Sequence, residues 1–89
     1  GYWLRADAEG KGYMAETVRL LTDYAFDALN ANRVQIRCDA QNRRSAAVAE
    51  RLGFVREGCF RHDTRERDGS LRDTLVFALI RSDPRWPAQ

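Results

Sequence analysis

The chain has 89 residues, of which 44% are hydrophobic and 31% are charged, and its net charge is +2. A chain of this length holds one domain at most, and because no apolar run in it is long enough to span a bilayer, we do not expect a membrane protein. Lysine and arginine are spread along the sequence instead of gathered in one block, which argues against a nucleic-acid-binding protein.

The first elements are predicted to be a strand end, a loop and a long helix. Tyr2 to Leu4 is apolar and aromatic, and the polar stretch from Arg5 to Gly12 has two glycines and no periodicity, which is typical of a loop. Apolar side chains then recur in steps of three and four, which places a stripe along a helix that ends near Asn30. The stripe consists of Met14, Val18, Leu21, Ala25 and Leu29.

A short strand and a second helix follow. Val34, Ile36 and Cys38 alternate with polar residues, the period-two pattern of a strand with one buried face. Asn42 is of the residue type that caps a helix, and Gly53 is placed to end that helix in a left-handed conformation.

The last part of the sequence predicts a hairpin. Two extended stretches, interrupted at Gly58, run from Phe54 to Arg67, and Asp68-Gly69 is typical of a tight turn. Thr74 to Ile80 is apolar on both faces, so we expect this strand inside the sheet. The order predicts an α/β (α+β) fold with an open mixed sheet over residues 1–82, followed by an irregular tail over residues 83–89.

The two cysteines and the start of the chain bear on its environment. Cys38 and Cys59 lack the paired spacing of zinc or redox motifs, so we expect no metal and two reduced thiols, half-buried in the core. The sequence begins at Gly1 without a charged or hydrophobic leader. We therefore expect a cytoplasmic protein and a chain cut from a longer one.

The loop before the first helix has the composition of an anion site. Gly10-Lys11-Gly12 precedes a helix N-terminus, where backbone N–H groups and the helix dipole attract phosphate; a simple turn without a ligand is the alternative. A nucleoside-triphosphate loop would need Ser or Thr after Lys11, whereas Gly12 follows. A dinucleotide fingerprint matches through Ala15, but the preceding connection is long and polar and the acidic residue expected further on has no clear candidate. Coenzyme A is the third class.

Several short motifs, in order, resemble the GNAT superfamily and within it the ribosomal-protein-alanine and serine acetyltransferases of the RimJ/RimL type. The similarity runs from Gly1 to about Ile80, so this chain resembles the C-terminal half of such a domain. The motifs are Gly1-Tyr2-Trp3-Leu4, Gly10-Lys11-Gly12-Tyr13-Met14-Ala15-Glu16, Asn32-Arg33-Val34, Asn42-Arg43-Arg44-Ser45, Glu50-Arg51-Leu52-Gly53-Phe54 and Glu57-Gly58.

The resemblance implies that acetyl-CoA is the cofactor. In the family its pantetheine arm lies between two parallel strands that splay apart, here the Tyr2 strand and the Val34 strand. Arg33, Arg43 and Arg44 are either phosphate contacts or ordinary solvated charges. The cofactor-binding positions implied by the resemblance are Leu4, Gly10, Lys11, Gly12, Tyr13, Met14, Asn42 and Ser45.

The resemblance also implies direct transfer of acetyl to a primary amine, either a protein N-terminal α-amine, as on a ribosomal protein, or the amine of a small molecule. Ser45 then lies near the cofactor sulfur; its alternative role is to bond the backbone in the first helical turn. Asp63 and Glu66 are the candidates for the base, and both could equally be solvated surface charges.

Other functions stay open. A non-catalytic module would bind coenzyme A without turnover, and a dinucleotide-binding domain would prefer NAD. The exposed edge of the Tyr2 strand is compatible with a homodimer or with pairing to the missing half of the fold.

Overall fold

A computed structural model describes residues 2–5 and 15–86, with side chains from residue 15 onward. The described chain forms six elements in the predicted order, and the α/β fold with a mixed sheet is confirmed. The elements are β1 (Tyr2–Arg5), α1 (Ala15–Asp27), β2 (Arg33–Asp39), α2 (Arg43–Arg51), β3 (Val55–Arg65) and β4 (Leu71–Ile80).

The four strands form one sheet in the order β1-β2-β4-β3. β1 and β2 are parallel, as expected for strands joined by a helical crossover, whereas β4 is antiparallel to both β2 and β3. The predicted interior strand is therefore confirmed: β4 lies between β2 and β3, and it begins at Leu71, three residues earlier than the sequence predicted.

Both helices pack on one face of the sheet. The alternation predicted for β2 is confirmed, because its buried residues face the apolar residues of β4 in register. The opposite face, which we call the helix-free face because neither described helix packs on it, carries Gln35 and Arg37 of β2 and Thr74, Val76 and Ala78 of β4. The core on the helix side includes Val18, Ala25, Phe26, Val34, Ile36, Cys38, Ala49, Leu52, Leu75, Phe77 and Leu79.

The predicted end of α2 is confirmed, whereas the predicted apolar stripe of α1 is only partly right. Gly53 has a φ of 89°, the left-handed cap predicted after α2. Val18 and Ala25 of the predicted stripe are buried in α1, but Leu21 is exposed, and so is Leu29. Thr22 and Phe26, which the stripe left out, are buried instead. The stripe was misplaced because α1 ends at Asp27, which leaves Leu29 outside the helix, and because the sheet contacts the flank that carries Phe26.

Both cysteines are reduced, as predicted, but the predicted half-burial is wrong for both. Cys38 is buried, whereas Cys59 is exposed on β3. None of the eleven residues of β3, all of which the structure describes, is buried, because β3 is the outer strand of the sheet. Over the described residues, no helix is long and apolar enough to cross a membrane.

Candidate functional site

The carboxyl ends of the two parallel strands lie at one edge of the sheet, which we call the carboxyl edge. Arg5, the last residue of β1, faces Arg37 near the end of β2, so the carboxyl ends of the two strands lie side by side. Because β4 is antiparallel to β2, its Thr74 faces Asp39 at the same edge. In open α/β sheets, ligands bind at this edge.

The N-terminus of α2 is fixed at the carboxyl edge. The Asn42 side-chain oxygen accepts a hydrogen bond from the Ser45 backbone N–H at 3.1 Å, which confirms the predicted cap. The Ala40 N–H donates to the Asp73 carbonyl oxygen at 2.9 Å and so holds the preceding loop on β4. Ser45 is buried, with a relative exposure of 3%. The cap and the loop contact thus hold the first turn of α2, which carries Ser45, at the carboxyl edge.

Asp63 reaches the same edge through an irregularity in β3. Phe60 faces Thr74 and Thr64 faces Arg72, so residues 61–63 of β3 lie opposite Asp73 alone. The Asp63 Oδ1 atom accepts a hydrogen bond from the Thr74 hydroxyl at 2.7 Å. The Thr64 hydroxyl lies 3.4 Å from the same oxygen.

This irregularity is a β-bulge formed by residues 61–63, and it has a strained residue at its centre. His62 has a φ of 54°, a left-handed conformation that is uncommon outside glycine. Its backbone N–H donates to Asp73 Oδ1 at 2.7 Å, which compensates for the conformation with a charge-assisted hydrogen bond. An open surface depression of about 570 Å³ lies beside the bulge. Its lining residues are Cys59, Phe60, Arg61, His62 and Asp73.

Glu66, the second candidate base, lies in the hairpin turn after β3. Its backbone closes that turn through hydrogen bonds with Ser70 and Gly69. Its carboxylate oxygen Oε1 is 3.8 Å from Arg72 Nε, and the same nitrogen is 3.6 Å from Asp39 Oδ2. Glu66 therefore shares Arg72 with Asp39 as a counter-ion, while Asp63 is the candidate base that is hydrogen-bonded to Thr74 at the carboxyl edge.

The structure brings Asn42, Ser45 and Asp63 to one edge. The parallel pairing expected for β1 and β2 is present, but Tyr2–Arg5 face Val34–Arg37 residue by residue, so the strands do not splay over those positions. Leu4 belongs to β1, and only its backbone is described. The predicted phosphate-contact residues Gly10, Lys11, Gly12, Tyr13 and Met14 lie outside the described residues.

The sequence analysis missed two further features. Thr74 was treated only as the first residue of an apolar strand, although a hydroxyl among apolar neighbours is a signal that a polar partner is close. His62 gave no sign of its backbone conformation. Within residues 2–5 and 15–86, no group of three or more His, Cys, Asp or Glu side chains lies together as a metal site would require.

Comparison with known proteins gives one consistent family. The sequence profile of the acetyltransferase (GNAT) domain matches residues 1–55. YdaF of Bacillus subtilis, provisionally named a ribosomal N-acetyltransferase, is 39% identical over 83 residues, which cover 93% of this chain and 45% of YdaF. The ribosomal-protein-serine acetyltransferase of Escherichia coli is 33% identical over 80 residues, which cover 90% of this chain and 44% of that protein.

Solved structures agree with the sequence matches. The ribosomal-protein-S5-alanine acetyltransferase from Vibrio fischeri superposes with a TM-score of 0.72 at 31% identity, covering 90% of this chain and 42% of that one. The chain thus spans less than half the length of the curated relatives it matches.

Proposed function

This chain belongs to the GNAT acetyltransferase family, and from that premise we propose that the protein transfers an acetyl group from acetyl-CoA to a primary amine. The observation that carries the proposal is the carboxyl edge, where the capped N-terminus of α2 and the carboxylate of Asp63 meet the same two strands. The N-terminus of α2 suits an anionic cofactor, and the carboxylate of Asp63 can serve as a base.

The described residues fit a phosphate-bearing cofactor. The first turn of α2 has no acidic residue and carries two exposed arginines, Arg43 and Arg44. The helix dipole disfavours cations at this end, so the arrangement suits an anionic ligand that the arginines and the helix N-terminus can bind together. GNAT acetyltransferases use acetyl-CoA as the acyl donor. We propose that Gly10 to Met14 hold its pyrophosphate, with Leu4 and Asn42 along the arm.

Asp63 is the better candidate for the base. One of its oxygens, Oδ1, accepts the Thr74 hydroxyl, and Oδ2 receives no hydrogen bond from the described residues. An oxygen with remaining lone pairs can accept the proton that the amine nitrogen loses. Glu66 is engaged with Arg72 in the hairpin turn, which favours a structural role.

In the proposed reaction, two residues transfer the protons. When bound, acetyl-CoA supplies a thioester, whose C–S bond breaks as the amine nitrogen forms the new C–N bond. Asp63 takes one proton from the nitrogen at Oδ2 and later returns it to solvent. Ser45 donates a proton from its hydroxyl to the departing sulfur and recovers one from solvent. A thiolate is a good leaving group, so we expect Ser45 to contribute less than Asp63.

The acceptor is proposed to be the α-amine of a protein N-terminus. The E. coli and Vibrio relatives are named as ribosomal-protein acetyltransferases, which supports a protein substrate and a cytoplasmic location. Thr74, the partner of Asp63, lies on the helix-free face of the sheet. The amine would therefore approach from that face, while the cofactor contacts the helix N-termini.

Calorimetric titration of the complete protein tests the cofactor assignment. We expect acetyl-CoA to bind in preference to NAD, and Gly12→Glu to weaken acetyl-CoA binding at least about tenfold because it adds a negative charge beside the proposed phosphates. Leu20→Glu is the matched control, since it adds the same charge at a well-exposed position of α1 and should leave the affinity unchanged. Preferential binding of NAD would contradict the assignment.

Acetylation kinetics test the base. Asp63→Asn should lower kcat about a hundredfold, within the range for loss of a general base, while acetyl-CoA still binds. Glu66→Gln is the control and should leave kcat nearly unchanged. Normal binding of acetyl-CoA with no transfer to any N-terminal peptide would instead indicate a non-catalytic module.

A further inference from the structure

We propose that Thr74 is a positioning residue that holds Asp63 as the base, a role that rests on the proposed acetyl transfer. Thr74 has a relative exposure of 0%, and its hydroxyl donates to Asp63 Oδ1 at 2.7 Å. Asp63 itself is exposed, and the Thr64 hydroxyl lies at a longer 3.4 Å from the same oxygen. The 2.7 Å bond from Thr74 is therefore the stronger restraint on the rotamer that the Asp63 carboxylate adopts.

The position of Thr74 in its strand shows why the bond matters. Thr74 begins a run of six buried residues in β4, Thr74 to Leu79, and the five others are apolar. A buried hydroxyl without a partner costs free energy, and valine would fill nearly the same volume in an apolar strand. A threonine here is explained by its partner, the carboxylate of Asp63.

The bulge of β3 makes this contact possible. With residues 61–63 opposite Asp73 alone, β3 takes three residues to pass a single residue of β4. Asp73 holds the His62 N–H and Thr74 holds the Asp63 carboxylate, so successive residues of β4 fix successive residues of the bulge. The backbone and the carboxylate are both oriented, and Oδ2 is left for the amine. Such preorganisation lowers the entropy cost of reaching a reactive geometry.

The test compares Thr74→Val with Thr74→Ser in the complete protein. Valine keeps the volume and removes the hydroxyl, so we expect kcat to fall about tenfold, the effect of one hydrogen bond to a charged group. The calorimetric Kd for acetyl-CoA should not change, because Thr74 contacts Asp63 and not the proposed cofactor residues. Serine keeps the hydroxyl and should restore most of kcat. In Asp63→Asn, adding Thr74→Val should produce no further loss.

Three results would overturn the inference while leaving the proposed function intact. One is a normal kcat for Thr74→Val, and another is an equal loss in the valine and serine variants, which would indicate packing. An additional tenfold loss in the double variant would also contradict it, because Thr74 would then act independently of Asp63. If Asp63→Asn alone keeps a normal kcat, Asp63 is not the base, and the proposed function and this inference fail together at that residue. Urea unfolding of each variant separates loss of folded protein from loss of turnover.

Discussion

The side chain of Asn42 caps α2, and we propose that it also contacts the cofactor. Its Oδ1 accepts the Ser45 N–H at 3.1 Å, one of the first backbone donors of α2 that has no partner within the helix. Since Asn is an amide, its nitrogen can at the same time donate to another group. The two roles therefore use different atoms and can be separated by substitution.

We predict that Asn42→Ala lowers the free energy of unfolding by about 1 kcal/mol, the usual cost of losing an N-cap, and also weakens acetyl-CoA binding. Asn42→Asp keeps an oxygen acceptor and should restore stability, while the lost amide donor and the added negative charge keep the affinity low. Urea unfolding and calorimetry on the same samples measure the two effects. If Asn42→Asp binds acetyl-CoA normally, Asn42 is only a cap.

For single residues, the sequence predicts those features that depend on positions close by in the chain. The Asn42 cap and the left-handed Gly53 follow from residue type and position, and both were confirmed. The bond between Thr74 and Asp63 joins residues eleven positions apart, and it depends on a bulge whose length no local pattern reveals. Cys59 was misjudged for a related reason, because its exposure follows from the place of β3 in the sheet.

Among the elements, the C-terminal half of α1 is held by contacts with the segment that follows β4. Arg85 contacts Asp23 at 2.7 Å and Asp27 at 3.1 Å, and its pKa is raised above its ordinary value, first by the hydrogen bond that it donates to Asp27. The Trp86 indole N–H donates to Asp23 at 3.2 Å, and its ring packs against the core. The guanidinium of Arg19 lies 5.3 Å from the centre of that ring. Residues 83–86, part of the predicted irregular tail, therefore hold a helix in place.

We predict that Trp86→Ala lowers the free energy of unfolding by about 2 kcal/mol, less than for a fully buried tryptophan because Trp86 is only half-buried. Arg85→Ala should cost less than about 1 kcal/mol, since its ion pairs are partly exposed. Trp86→Phe retains most of the packing and serves as the control. Chemical denaturation measures all three. A larger loss for Arg85→Ala than for Trp86→Ala would show that charge, and not packing, fastens α1.

The sequence could not predict this contact. Prolines and polar residues near the end of the chain favour an irregular segment, and residues 83–86 indeed form neither helix nor strand. What the pattern does not contain is a partner, because Asp23 and Trp86 are 63 residues apart. Asp23 of α1 and Trp86 near the end of the chain become partners only when the fold brings them together.

For the whole sheet, the ion pair between Arg33 and Glu57 connects β2 to β3 across β4. The Arg33 guanidinium donates to both oxygens of Glu57, at 3.0 and 2.7 Å. This hydrogen bonding lowers the pKa of Glu57 below its ordinary value of 4.5. A carboxylate whose pKa is lowered by folding stabilises the folded state above its unfolded pKa, and the contribution is lost as the pH falls.

We predict that Glu57→Gln lowers the melting temperature slightly at pH 7 and that the difference from the parent protein shrinks as the pH falls below 4.5, the ordinary pKa of the carboxyl group. Glu50→Gln, at an exposed position of α2, is the control for removing a negative charge. Thermal unfolding at several pH values and at low salt measures the effect. A difference that persists unchanged at low pH would mean that Glu57 acts through packing and not through its charge.

β4, an inner strand of the sheet, is the last of the six described elements along the sequence. A ribosome delivers the chain from its N-terminus, so β1, α1, β2, α2 and β3 all emerge before Leu71–Ile80. Until β4 arrives, β2 and β3 share no neighbour and cannot belong to one sheet. A frameshift or stop codon after residue 70 would thus do more than shorten the product: it would divide the sheet, leave two unpaired edges in the nascent chain and expose both to aggregation.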